Sequence, residues 1–253
     1  MKTVLITGTT SGIGYSLSAI FAEKGYHVIL VSRNPDQLLE QQKNLQTPHN
    51  RVDSLVYDLE QPGAAQSIYE MIKANNWSID ILVNNAGFNE AGLFAETNAQ
   101  REREMIELHV NFVTDMMKLF IPAMTENGVG RVLNVGSTGS YIACPKDAVY
   151  AATKAYVLHL SKAVNSELRG TGVSVTTLCP GSTNTKFAEK ADIENTLLFK
   201  LFVMSPDKVA KAGFHAMCKR KAVVIPGVYN KLLVASSRIL PYSFIGWLTK
   251  KML

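Results

Sequence analysis

Seven short runs of apolar and β-branched residues recur along the chain: TVLIT (3–7), HVILVS (27–32), RVDSLVY (51–57), IDILV (79–83), RVLNVG (131–136), VSVTTL (173–178) and AVVIP (222–226). They show little alternation of apolar and polar positions, as expected of strands covered on both faces. Between them apolar residues return at helical spacing. After the first run they fall at Ile13, Leu17, Ile20 and Phe21, and Gly25 is placed to end that helix. Asn34 then Pro35 offer a cap and a first helical residue for the next one. The alternation predicts an α/β fold, a doubly wound sheet of seven mainly parallel strands with helices on both faces.

Composition adds limits to that picture. A chain of 253 residues, 47% of them hydrophobic, can fill a sizeable core, and no repeat or linker divides it, so a single domain over 1–253 is expected. Cys144, Cys179 and Cys218 lie far apart without metal spacing, and the five histidines show no ligand spacing either. No metal site is expected, and the histidines read as structural or surface residues. Met1 to Thr7 lacks the apolar run of a secretory signal, which makes the expected location cytoplasmic.

The net charge of +5 is concentrated near the C-terminus, where residues 201–253 hold nine Lys or Arg against the single acid Asp207. Residues 227–253 form a basic, apolar segment that includes Phe244 and Trp247. Arg238 and Pro241 interrupt it before it can span a bilayer. It can pack on the domain or a neighbouring subunit, or lie at a membrane surface as a peripheral contact. Nucleic acid is not an expected partner.

Gly8, Gly12 and Gly14 fall between the first strand and the first helix. Glycine there permits a tight turn, and bare N–H groups at a helix N-terminus attract an anion such as a pyrophosphate. Dinucleotide sites of this architecture read the adenosine ribose at the end of the second strand, where an acid would hold the hydroxyls of NAD. This chain has Ser32-Arg33-Asn34 instead, with no carboxylate and a guanidinium suited to a phosphate, which favours NADP (NADPH). Further along, Lys154 follows Tyr150 by four residues in a helical stretch, so the two share a face, as a surface pair or as a tuned acid.

The motifs TGTTSGIG (7–14), YDL (57–59), NNAG (84–87), Asn111, Ser137, YAATK (150–154) and PGSTNT (180–185) stand in one order, with Ser137 thirteen residues before Tyr150. In this the chain resembles the single-domain form of the short-chain dehydrogenase/reductase (SDR) family, from Lys2 to about Pro226. The resemblance implies a Rossmann-like sheet and a cofactor lying across the C-terminal ends of its strands. It implies cofactor contacts from Gly8, Thr10, Ser11, Gly12, Ile13 and Gly14, with Ser32, Arg33, Asn34, Asp58 and Leu59 toward the adenosine. It further implies that the Asn85-Ala86-Gly87 turn borders the ribose and that Pro180, Gly181, Thr183 and Thr185 hold the nicotinamide side. The family often has an aliphatic residue where Thr183 stands.

The same resemblance makes Asn111, Ser137, Tyr150 and Lys154 a catalytic tetrad. Tyr150 and Lys154 would also contact the cofactor. Ser137 would hydrogen-bond the substrate oxygen, and Asn111 would hold a water relaying protons to Lys154. An unperturbed tyrosine pKa near 10 is too high for a base at neutral pH, and lowering it by about 3 units needs about 4 kcal/mol. Lys154 one turn away and the positive charge of an oxidised nicotinamide ring are together expected to supply that stabilisation. Tyr141 either lines the substrate cleft or packs.

The expected function is NADP-dependent interconversion of a carbonyl and an alcohol, and the family resemblance implies a homo-oligomeric enzyme. The alternative is a non-catalytic NADP-binding sensor or scaffold, which would have no need of both Tyr150 and Lys154. Residues 187–206 are expected to form a substrate lid. Its apolar side chains suit an apolar small molecule or, equally, an oligomer contact.

Overall fold

The computed structural model describes residues 1–185, 203–237 and 239–240. Its strands are β1 (Thr3–Thr7), β2 (His27–Ser32), β3 (Arg51–Val56), β4 (Ile81–Asn84), β5 (Gly130–Val135), β6 (Val173–Leu178) and β7 (Val223–Val224). They form one sheet in the order β3-β2-β1-β4-β5-β6-β7, and every neighbouring pair is parallel. All seven runs picked out by their apolar patterning are strands.

The helices are α1 (Gly12–Glu23), α2 (Pro35–Leu45), α3 (Ala64–Ala74), α4 (Ala99–Ile106), α5 (Val113–Glu126), α6 (Ala148–Glu167), α7 (Pro206–Cys218) and α8 (Val228–Ser236). Asn34 caps α2 as its sequence suggests, its Oδ1 accepting from the Gln37 N–H at 3.0 Å.

Successive strand residues point to opposite faces, and here both faces are apolar. Val4, Ile6, Val28 and Leu30 pack with Leu17 and Phe21 of α1, Leu38 of α2, and Val209 and Phe214 of α7. Leu5, Ile29, Leu82 and Val132 pack with Ile68 of α3, Met116 and Phe120 of α5, and Val157 of α6. Phe21 meets Phe214 edge-on with ring centroids 5.1 Å apart, which joins α1 to α7 on their shared face. Burial of one such ring contributes about 2–3 kcal/mol.

One polar thread runs through the second core. The fully buried Asn134 of β5 accepts from Asn84 Nδ2 of β4 at 2.8 Å and donates to the Ser161 hydroxyl of α6 at 2.8 Å. Ser161 in turn donates to the Val157 carbonyl. This chain of bonds sets the position of α6 against the middle of the sheet.

The expected lid at 187–206 lies outside the described residues except for 203–206, and so do Arg238 and residues 241–253, including Phe244 and Trp247. In the described part, α8 leaves Val228 and Leu232 exposed. Among the described residues no helix is long and apolar enough to cross a membrane.

Replacing Asn134 by Ala strands two buried polar partners, each costing about 1–3 kcal/mol when unpaired. The expected result is a loss of about 2–4 kcal/mol of stability in urea unfolding and a Tm lower by about 5–15 °C. A Tm unchanged from wild type would show that the thread does not hold α6.

Candidate active site

The strand order reverses between β1 and β4, and a crevice opens there at the carboxyl ends of the strands. Thr7, the last residue of β1, ties its two sides together. Its hydroxyl donates to the Val83 carbonyl and accepts from the N–H groups of Asn85 and Ala86, at 3.0 and 3.1 Å. Asn85 Nδ2 donates back to the carbonyls of Thr7 and Gly8, both at 2.9 Å. The turn after β4 and the loop after β1 are therefore one unit.

Gly8 has φ +68°, and a Cβ there would lie 2.7 Å from Ala86 Cα, so only glycine fits. Gly14 does not line the crevice. It lies against the Gly8 carbonyl and Asn85, which a side chain would strike, so its contribution is close packing of helix on loop. Ser11 caps α1 without a side-chain cap bond, and no acid stands in the first turn. The first N–H groups of α1 remain available to an anion.

The crevice encloses a cavity of about 470 Å³. Gly8, Thr10, Ser11, Gly12 and Ile13 line one wall, and Asn85, Ala86 and Gly87 line the part after β4. Pro180, Gly181, Thr183 and Thr185 line the side after β6. Ser32, Arg33, Asp58 and Leu59 line the end beyond β2 and β3. Asn34, expected in this group, is spent on capping α2 and does not line the cavity.

At that end a carboxylate appears that inspection of β2 alone does not reveal. Glu60, from the loop after β3, accepts from Arg33 Nη1 at 2.8 Å and from Arg101 Nη1 of α4 at 2.9 Å. Arg101 also pairs with Glu104 and lies over the Phe88 ring, 4.1 Å from its centroid. Two guanidiniums thus flank one acid, and both line the cavity. Arg101 carried no signal in the sequence, since it lies on an ordinary charged helix far from any motif.

The chemistry gathers at the other end. Ser137 follows β5, and its Oγ accepts from the Gly139 N–H at 3.0 Å and hydrogen-bonds the Tyr150 phenol. The Ser140 hydroxyl donates to the Lys154 carbonyl at 2.8 Å, fixing the first turns of α6 to this loop. Lys154 is buried, its Nζ donates to the Val135 carbonyl at 3.2 Å, and it lies 5.6 Å from the centre of the Tyr150 ring.

Within the chain itself, burial opposes the lowering expected for Tyr150. Its pKa is raised above 10, chiefly by burial, against the Ser137 hydrogen bond and with help from the negative charge of Asp147. Burial also lowers Lys154 to about 8, which leaves it mostly cationic at neutral pH beside a phenol that burial holds protonated. The protein's own residues keep the phenol protonated. Tyr141 hydrogen-bonds the Cys179 thiol and is not among the cavity-lining residues, so it packs.

The profile of the short chain dehydrogenase family matches residues 2–196. The chain belongs to that family. Among solved structures it is similar to a short-chain dehydrogenase from Sphingobium yanoikuyae in complex with NADPH, with 29% identity, 94% of each chain covered and a TM-score of 0.82. It is also similar to the bulky-bulky ketone specific alcohol dehydrogenase from Comamonas testosteroni, with 28% identity, 94% and 93% coverage and a TM-score of 0.78. Oxidoreductase UcpA of Escherichia coli is 32% identical over 189 residues, covering 74% of this chain and 72% of that protein. Probable oxidoreductase EphD of Mycobacterium tuberculosis is 28% identical over 94% of this chain, which spans 43% of that relative's length.

One residue of the expected tetrad turns its side chain away from the site in this short-chain dehydrogenase. Asn111 is exposed, and its Nδ2 donates to Glu107 Oε2 at 2.6 Å, away from Lys154. The side chain that reaches the site is His109. Positions two apart on a helix face nearly opposite ways, so only one of them can point inward. Between α4 and α5 the helix passes through a π turn, Glu107–Phe112, which sets His109 inward. Nothing in the residue types marked it, but the burial periodicity of Met105, Leu108, Phe112 and Met116 would have placed 109 nearer the inner face than 111.

The tautomer of His109 follows from its neighbours. Thr153 Oγ1 donates its one proton to the Tyr150 carbonyl at 2.8 Å, so at 3.0 Å from His109 Nδ1 it must accept. The proton is on Nδ1, and the lone pair is on Nε2, which is buried without a partner beside Gly87. The ring centre lies 5.9 Å from that of Tyr150. Burial first, then the charge of Lys154, hold its pKa well below 6.5.

A histidine kept neutral in the fold takes up a proton only when the chain unfolds. As pH falls below about 6.5 the unfolded state gains that proton and the native state does not, so stability drops. The wild type is expected to lose up to about 1.4 kcal/mol per pH unit more than His109→Asn between pH 6 and 5, or about 3–5 °C of Tm. Parallel Tm curves for the two proteins would show that His109 is not held neutral.

Proposed function

We propose that the protein is an NADP-dependent oxidoreductase that interconverts a carbonyl and an alcohol, with Tyr150 as the proton donor. The observation that carries this reading is the Ser137–Tyr150 hydrogen bond beside buried Lys154, in the crevice that the glycine loop opens at the switch point.

The residues fit a dinucleotide. An uncapped helix N-terminus suits the pyrophosphate, and the two guanidiniums at the far end suit a further phosphate on the ribose. Glu60 holds Arg33 and Arg101 in place and Glu104 also pairs with Arg101, so the two guanidiniums are matched in charge and offer a phosphate their remaining N–H donors. When bound, a reduced nicotinamide supplies a hydride to the carbonyl carbon.

The rest of the reaction belongs to the chain. The Ser137 hydroxyl hydrogen-bonds the substrate oxygen and stabilises its growing negative charge. The Tyr150 phenol transfers its proton to that oxygen, and the Ser137 bond helps the phenolate it leaves behind. Lys154, one turn along α6, holds ribose hydroxyls and orients the site. A phenol protonated at neutral pH is an acid ready for carbonyl reduction. Assembly as a homo-oligomer and work in the cytoplasm belong to the same proposal, as does a small-molecule substrate.

Tyr150→Phe is expected to lower kcat for NADPH-linked reduction by about 1000-fold while NADPH affinity stays within about twofold. A Tyr150→Phe enzyme at full rate removes the assigned role. Arg33→Ala is expected to cut the NADPH-over-NADH affinity ratio by about 10-fold in fluorescence titrations. A wild-type protein that binds the two cofactors equally would overturn the NADP assignment.

A further inference from the structure

Asp147 occupies the N-cap of α6, where an aspartate ordinarily accepts a bond from the helix's own N–H groups, yet its side chain makes no such bond. Its carboxylate turns instead to the cavity, which it lines together with Asn89 from the loop after β4. Asn89 Nδ2 donates to Asp147 Oδ1 at 2.9 Å, and both residues are more than nine-tenths buried.

The arrangement is built rather than incidental. The Gly92 N–H donates to the Lys146 carbonyl at 2.8 Å, and the Asp147 N–H donates to the Cys144 carbonyl at 3.0 Å. The first bond clips the two loops together, and the second closes the turn that presents Asp147. Lys146 has φ +69°, a left-handed backbone that costs a lysine of order 1 kcal/mol or more, and it aims the next residue inward.

Because the Asn89 amide gives its N–H to the carboxylate, its oxygen is left facing outward from that bond, buried and without a partner. The second Asp147 oxygen has no hydrogen bond among the described residues. Two acceptors therefore stand unmatched by a donor, three residues before Tyr150 and on the same side of α6. The cations lining the cavity are Arg33 and Arg101 at the far end, and Lys154.

We propose that Asn89 and Asp147 form a substrate subsite that takes a hydrogen-bond donor, a hydroxyl or a protonated amine, carried by the same small molecule whose carbonyl meets Ser137 and Tyr150. This rests on the oxidoreductase reading and adds a class of substrate to it. A donor there satisfies both acceptors. A cationic one also offsets the negative charge that opposes ionisation of Tyr150 during proton transfer. The apolar substrate suggested by residues 187–206 is refined to an apolar frame with one donor group.

Three ketones of similar size test it: methylcyclohexanone, hydroxycyclohexanone and N-methylpiperidone, which is cationic at neutral pH. Binding is read by calorimetry on Tyr150→Phe protein saturated with NADPH, where no turnover intervenes, and kcat/KM is read on the wild type. The hydroxyl or the cationic ketone is expected to bind about 10-fold more tightly than methylcyclohexanone. Asp147→Ala in the same background is expected to bring the ratio within about twofold. Asp147→Asn keeps an acceptor, so it retains a preference for the hydroxyl and loses that for the cation, and it serves where the Ala variant does not fold.

Equal binding of all three ketones by the Tyr150→Phe protein overturns the inference, as does a preference that survives Asp147→Ala or Asp147→Asn undiminished. Preferential binding without turnover by the wild type supports the subsite and counts against the oxidoreductase reading instead.

Discussion

Keeping a lysine inside the protein is the demand that shapes everything around it. Lys154 is 5% exposed, its ammonium bonds a backbone carbonyl, and among the described residues no carboxylate lies within ion-pair distance. Burying a cation on these terms is costly, as its pKa of about 8 records. Such a residue stays where it is only if its helix cannot shift. The bonds from Asn134 to Ser161 and from Ser140 to the Lys154 carbonyl provide that restraint, one in the sheet's core and one at the crevice. The same cation helps keep His109 neutral.

The fold was legible because a parallel sheet covered on both sides leaves a simple trace, short apolar runs with turn residues at their ends. Even β7, reduced to two paired residues, lies inside the stretch its apolar character marked. The glycine loop and the Ser137, Tyr150 and Lys154 set were legible for a different reason. Each lies at the carboxyl end of a strand or on the first turns of the helix that follows, so position in the motif and position in space coincide.

What was not legible depends on facts that spacing along the chain does not hold. On the long helix the family motif pointed at Asn111, whereas the apolar face of Met105, Leu108 and Phe112, through the π turn, carries the side chain of His109 inward. Arg33 meets the Glu60 carboxylate from a loop 27 residues away, and that carboxylate's second donor, Arg101, comes from α4. Asn34 satisfies two motifs at once, and the helix cap takes it. The acidity of Tyr150 depends on how completely it is desolvated, a quantity no sequence pattern carries.

The crevice has a polarity that follows from these placements. One end carries the guanidiniums of Arg33 and Arg101, held by Glu60 and Glu104, and the other carries the carboxylate of Asp147 with no guanidinium near it among the lining residues. An elongated ligand with phosphates at one end and a neutral or donor-bearing group at the other therefore has one favourable direction. A carboxylate beside Tyr150 also makes the phenolate harder to form, and burial of the phenol works in the same sense, so the resting phenol keeps its proton. A donor against Asp147 relieves the first of these and eases transfer of that proton to the substrate oxygen.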